Sequence, residues 1–451
     1  MKKLVGLFLT PLLLTAPAVA VAKPDSSFGR MFAVVAKSSA KGALAALNQQ
    51  TNQQLADLAQ TMLETSAIPN PKGTTGGVTF FGQFIDHDLT LDTAPSPTEA
   101  VNVEGLLNAR SFPFDLDSVY GGGPKQSPQL YDGDKFKLGT AADRVSPDLP
   151  RDRNGSAILV EHRNDENLII SQIHLRFLRL HNALVDTGMS FDQARQRVID
   201  AYRYVVLHDY LPQIVGQAAV DRALAQDRNA GFFKPGSQEH PMTPVEFSVA
   251  AFRFGHSQIR NAYNINDKSG GVRVFSLNPG IADLRGGRQL PTNLIMDFDN
   301  FFSELPQNDQ NQVLLIGRAI DTKMSQSLFE LPIPGAEATG SNVLGYRNLV
   351  RGKFYDLPSG EAIAKAMGVA VVGTPAFPEG TPLWYYILRE AEQTSGGAEL
   401  GPVGGGIVAE VIVDLMQLKS GAKKIDKPTL PDVSGGDFRM GDLLVAADQV
   451  R

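Results

Sequence analysis

The chain of 451 residues contains no cysteine. That absence removes disulfides, thiolate nucleophiles and cysteine-ligated metals as sources of stability or chemistry. Basic clusters are also missing: 42 Lys and Arg stand against 48 Asp and Glu, the net charge is −6, and no cationic stripe forms. Nucleic acid and anionic membrane surfaces are therefore poor partners. Beyond the first residues, no apolar run reaches the roughly 18 residues that a membrane-spanning helix needs. Internal repeats, interdomain linkers and alternating strand patterns are scarce or absent.

What is present begins with Met1-Lys2-Lys3, an apolar run from Leu4 to Leu14 and small residues from Ala16 to Ala22. This is the order of a cleavable secretory signal, with Ala18-Val19-Ala20 or Ala20-Val21-Ala22 as the cleavage site. The expected organisation is a signal over residues 1–22, a polar, alanine-rich N-terminal arm over 23–70 with an amphipathic stretch around Ala43 to Leu63, and one domain over 71–451. The expected destination is periplasmic or extracellular. A mature chain of roughly 430 residues can bury a core large enough to manage without disulfides.

Helical periodicity dominates the domain. Ile169, Ile173, Phe177, Leu180 and Leu184 step by 4, 4, 3 and 4. Ser190 and Gln193 then form a capping box ahead of Phe191, Ala194, Val198, Ala201 and Val205, and Pro212 is expected to stop that helix. A third helix is predicted from Thr243, with Pro244 in its first turn and Glu246 closing a box. Its apolar face runs through Val245, Val249, Phe252 and Ile259 and carries His256. The fold is expected to be mainly α, a single large helical domain with little β.

Residues 81–88, Phe-Gly-Gln-Phe-Ile-Asp-His-Asp, carry the clearest chemistry. Gln83, Asp86 and His87 fall at i, i+3 and i+4, so one helical face presents an amide, a carboxylate and an imidazole among apolar neighbours. Three readings compete at this point: a satisfied core histidine, a His87-Asp88 metal dyad paired with His208-Asp209 in a phosphohydrolase, or a reaction site. A second histidine on an apolar face, His256, favours a planar cofactor with one axial ligand and one catalytic histidine.

Five stretches then occur in order: Phe81 to Asp88, Arg163-Asn164-Asp165-Glu166, Asp209-Tyr210-Leu211-Pro212, Phe252-Arg253-Phe254-Gly255-His256 and Arg347 to Pro358. In order and rough spacing over about residues 75–420 they resemble the animal-type haem peroxidases of the peroxidase–cyclooxygenase superfamily. The resemblance implies a secreted bacterial enzyme that uses H2O2 and haem b to oxidise a halide, thiocyanate or small phenolic donor. It makes His87 the distal acid–base histidine, Gln83 the holder of a water or halide, Arg163 the distal arginine and His256 the iron ligand. Asn348 becomes the amide whose oxygen accepts from the His256 ring, and Arg253 and Arg351 the partners of the haem and its propionates. Asp86 and Glu166 match the carboxylates that the family joins to haem methyl groups as esters. Asn167 stands where a methionine would make a third, sulfonium link, so no such link is expected.

The resemblance also implies a Ca2+ site, formed by Asp88, Ser111, the Pro113 carbonyl, Asp115 and Asp117. Oxygen ligands at alternate loop positions suit a hard cation. Two other functions fit parts of the pattern. A fatty-acid dioxygenase of the superfamily would carry a radical-forming tyrosine where this chain has Arg253. A catalytically idle haem- and calcium-binding adhesion module would have no need of His87, Arg163, His256 and Asn348 together.

Overall fold

The computed structural model describes residues 26–450, except 34–49, 93–99, 111–113, 227–230, 235–240, 279–280, 306–313, 334–341, 421–424 and 431–436. The expected signal, Ala43, Ser111 and Pro113 lie outside the described residues. Helices carry the chain, and the strands pair only two at a time in segments of two or three residues. The expectation of a mainly α fold holds.

We label the main helices α1 (Asn52–Gln60), α2 (Gly76–Leu89), α3 (Leu168–Asp186), α4 (Phe191–Val205), α5 (Leu344–Phe354), α6 (Leu383–Ser395), α7 (Pro402–Ser420) and α8 (Met440–Gln449). Helix α2 is central. All of its residues are buried except Gln83 and Asp86, which are partly exposed. It tolerates Gly82, a poor helix former, because a Cβ there would lie 2.4 Å from the Tyr210 hydroxyl. Phe84 of α2 stacks on Phe177 of α3 with ring centroids 4.4 Å apart, and Tyr202 of α4 meets both rings edge-on. Each such pair adds about 0.5–1.5 kcal/mol beyond its buried area, which locks the three helices together.

The predicted face of α3 is buried at Ile169, Ile173, Phe177, Leu180 and Leu184. Asn167 caps this helix, accepting from the amides of Ile169 and Ile170 at 3.1 and 2.9 Å. The capping box at Ser190 and Gln193 is also present, with both reciprocal bonds made.

Two helical expectations need correction. Pro212 does not stop the helical path: α4 widens into a π-turn over Val206–Tyr210, and a short helix, Leu211–Val215, resumes with Pro212 in its first turn. A proline costs little there, because its missing N–H is one that a first turn leaves unpaired anyway. The helix expected from Thr243 is instead a strand, Met242–Pro244, then a π-turn, Glu246–Ala250, then a 3-10 stretch, Ala251–Gln258. The strand pairs in parallel with Ser27–Gly29. Glu246 closes no box, because its carboxylate accepts from the amides of Met31 and Phe32 at 3.0 and 3.1 Å. A distant segment thus takes the side chain that local capping would have used.

Candidate active site

A cavity of 1130 Å³ lies between α2, α5, the His162–Asp165 turn and the 3-10 stretch, with apolar walls that include Phe252, Leu331 and Val350. His87, Gln83, Asp86, Arg163, Glu166, Arg253, His256, Asn348 and Arg351 all line it. Nine residues spread over more than half the sequence therefore meet around one space. Gln83 and Asp86, the only unburied residues of α2, face this cavity.

The His87 ring is buried, and its Nδ1 lies 2.7 Å from Asn164 Oδ1. Burial, reinforced by the Arg163 charge, lowers its pKa to about 3, so the ring is neutral near pH 7. Arg163 donates Nη2 to the Thr90 carbonyl at 2.5 Å, and its Nε and Nη2 to Glu161 at 2.9 and 2.8 Å. Glu161 also accepts from Arg110 Nη2 at 2.6 Å. Burial alone would raise the Glu161 carboxyl, but Arg163 and Arg110 outweigh it and hold it at about 2.

Gln83 is clamped, with its amide nitrogen donating to Glu166 and its oxygen accepting from Asn167 Nδ2 at 3.3 Å. Desolvation by the surrounding protein raises Glu166 to about 7 and raises Asp86 as well, although Glu166 is exposed and Asp86 half-buried, so these carboxyls face the cavity with weakened charge. Arg253 donates Nε to the Ser248 carbonyl at 2.9 Å, and burial followed by repulsion from Arg351 lowers its pKa to about 10. Arg351 lines the cavity but is also committed to Asp92 at 2.9 Å, an acid that Tyr355 bonds as well.

Desolvation, with Arg253 nearby, lowers the pKa of the half-buried His256 to about 3. Its Nδ1 meets Asn348 at 2.8 Å, but through the amide nitrogen rather than the expected oxygen. A donating amide leaves Nδ1 bare and the ring proton on Nε2. A metal at Nε2 therefore needs a half-turn of this amide, which exchanges oxygen for nitrogen at nearly the same positions.

Comparison with known proteins gives these features a family. The sequence pattern described as "Animal haem peroxidase" matches residues 96–343, more than half of the chain. The chain belongs to that family. A peroxidase-like protein of Margaritifera margaritifera is 27% identical over 195 residues, 38% of this chain and 24% of that protein. Thyroid peroxidase of Mus musculus is 23% identical over 329 residues, 68% of this chain and 32% of that protein. The chain thus spans about a quarter to a third of the length of these curated relatives. Among solved structures, peroxidase A of Dictyostelium discoideum superposes with a TM-score of 0.58 at 17% identity, covering 83% of this chain and 84% of that one. Fatty acid alpha-dioxygenase of Arabidopsis thaliana gives 0.56 at 15% identity, covering 83% and 70%. Both show the shared fold.

Of the expected calcium ligands, Asp88, Asp115 and Asp117 are among the described residues, and all three are buried. Asp88 is fully buried and accepts from Ser118 Oγ at 2.7 Å, and its Oδ2 has no hydrogen-bond partner. Burial, then the nearby Asp117 and Asp115, raise its pKa to about 7. Among the described residues no three acids or imidazoles converge as a finished metal cage. Asp117 leans toward Arg110 at 3.4 Å and Asp115 toward Arg195 at 3.7 Å. Around them the backbone turns sharply, with Phe114 and Leu116 at φ 59° and 57°.

Three buried groups at this site escaped the sequence. Local pattern assigns no role to Asn164 or Glu161, and it leaves His174 as a structural or surface histidine. The one available signal was spacing: His174 lies two turns into the helix that follows the arginine motif.

Proposed function

We propose that this chain is a secreted or periplasmic haem peroxidase that uses H2O2 to oxidise a halide, thiocyanate or small phenolic donor. One observation carries the reading. Two neutral imidazoles, the buried His87 and the half-buried His256, line one cavity from separate segments, each held through Nδ1 by an amide, with Arg163 beside the first. Among the described residues no helix is long and apolar enough to cross a membrane, which accords with an exported soluble protein.

The residues fit a haem. The cavity exceeds the usual range of small-molecule sites, about 300–1,000 Å³, and combines apolar walls with arginines that can meet propionates. Haem bound there supplies the redox centre between peroxide and donor. His256 would hold the iron, Asn348 would orient that ring, and Arg253 and Arg351 would bind the propionates. Asp86 and Glu166 would offer carboxyls for ester links to the haem. Asn167, which stands where a sulfonium-forming methionine would be, already caps α3 and steadies Gln83.

His87 takes a proton from one peroxide oxygen and returns it to the other as the O–O bond breaks. Arg163 offers a guanidinium toward the charge that develops, and its bonds to Glu161 and Thr90 hold it in place. Gln83, fixed by Glu166 and Asn167, positions a water or halide beside His87. A Ca2+ ion at Asp88 would satisfy its unpaired Oδ2 and tie the end of α2 to the loop carrying Asp115 and Asp117.

The test is the optical spectrum of the purified protein before and after H2O2, with bromide or thiocyanate added last. A haem Soret band that changes with peroxide and recovers with the donor supports the reading. Absence of haem after cofactor-supplemented expression overturns it. Oxygen uptake with a fatty acid, without donor oxidation, replaces it with a dioxygenase, although Arg253 occupies the position where that branch carries its tyrosine.

A further inference from the structure

Asn164 stands between two buried imidazoles. Its Oδ1 is 2.7 Å from His87 Nδ1, and its Nδ2 is 2.9 Å from His174 Nδ1. An amide oxygen only accepts and an amide nitrogen only donates. With both rings neutral, the oxygen requires a proton on His87 Nδ1, and the nitrogen requires a bare Nδ1 on His174. The three side chains are sealed from solvent, and His174 is wedged edge-on against Phe84 with centroids 6.2 Å apart. The amide and the two rings thus form one linked set: turning the amide over would require both buried rings to shift their protons together.

We propose that Asn164 is a positioning residue: backed by His174, it fixes His87 in the Nδ1–H tautomer and leaves Nε2 bare toward the cavity. Neutral imidazole in water prefers its proton on Nε2, so the opposite tautomer needs a dedicated acceptor. The residue sits next to Arg163 in the short turn His162–Asp165, and its backbone amide is tied to the Glu161 carbonyl at 3.0 Å. One turn therefore delivers both the guanidinium and the group that selects the tautomer. The link to catalysis rests on the peroxidase reading, since only a bare Nε2 can take the first proton from peroxide.

The test is side-chain 15N NMR of the histidines, of which the chain has seven, in the full-length, haem-loaded protein reduced under carbon monoxide, which is diamagnetic. His87 is assigned by loss of its signals in His87→Gln. The expected result is a protonated Nδ1 and bare Nε2 on His87, and the reverse on His174. Asn164→Asp should keep the His87 tautomer, because a carboxylate still accepts from Nδ1–H, while releasing His174. Asn164→Leu should lose the tautomer and slow the reaction with peroxide about 10- to 100-fold, with the KM for the donor unchanged. A wild-type His87 carrying its proton on Nε2 overturns the proposal, as does an unslowed Asn164→Leu. Should the leucine variant fail to fold, loss of the His87 tautomer in Asn164→Asp overturns it equally. A wild type with the expected tautomer but no peroxide reaction supports the assignment and overturns the peroxidase reading instead.

Discussion

The two cavity histidines sit on backbone of opposite character. His87 rides a regular helix, α2, buried on almost every side and stacked through Phe84 onto α3. His256 rides a 3-10 stretch entered through a π-turn, steadied by Asn348 of α5 and by Trp384 of α6, whose Nε1 donates to the Arg253 carbonyl at 3.1 Å. The amides differ in the same sense. Asn164 is linked to a second imidazole, whereas among the described residues no comparable partner meets the far end of the Asn348 amide. A ring that moves protons needs one fixed tautomer. A ring that holds a metal needs an unprotonated Nε2 once the metal arrives, and an amide able to turn supplies it.

The sharpest way to break this comparison is to remove each ring. We expect His256→Ala to abolish haem retention. His87→Ala should keep the haem and slow the peroxide reaction by about 10²–10⁴, read by absorbance ratio and stopped-flow. Equal haem loss in both variants would erase the distinction.

The next largest effect tests the rigid side. Glu161→Gln strips the buried Arg110 guanidinium and the part-exposed Arg163 guanidinium of their shared carboxylate, and chemical denaturation should show a loss of about 3–5 kcal/mol. Glu161 is held at about 2, below the ordinary 4.5, so its stabilisation is fully present above pH 4.5 and lost as pH falls toward 2. The variant should lack that share of the acid-side slope.

The His256 side is tested by Asn348→Leu, which should weaken haem affinity about 10- to 100-fold while leaving the peroxide rate per bound haem unchanged. The smallest effect is that of chelation. Removing Ca2+ should cost about 1–3 kcal/mol in thermal unfolding by exposing the unsatisfied Asp88 oxygen, and Asp88→Asn should respond to chelator far less. Equal responses would remove the cation from the account.

The sequence made one side of this site more legible than the other. Gln83, Asp86 and His87 could be read because regular helical spacing places them on one face, and the α3 stripe and the Ser190 box follow equally local rules. The segment before His256 could not, because its conformation depends on a strand partner and on two amides far away in the chain. Glu246 looked like a local cap only while those amides were out of view. Asn164, Glu161 and His174 were missed for a related reason: hydrogen bonds between separate segments leave no periodicity behind.

The parallel pairing of Ser27–Gly29 with Met242–Pro244 also has a temporal consequence. The Met31 amide and the Glu246 carboxylate that receives it lie 215 positions apart, so the first described residues cannot find their place until more than half the chain has been made. Loop-closure entropy grows only by about 0.6 kcal/mol per doubling of length, so the thermodynamic toll is light. The delay is kinetic, as contacts of high sequence separation form late. The α2–α3–α4 half of the pocket can assemble from residues close in sequence, while the backbone carrying His256 waits for the arm to fold back. Closure of the cavity on its His256 side is thereby placed near the end of folding.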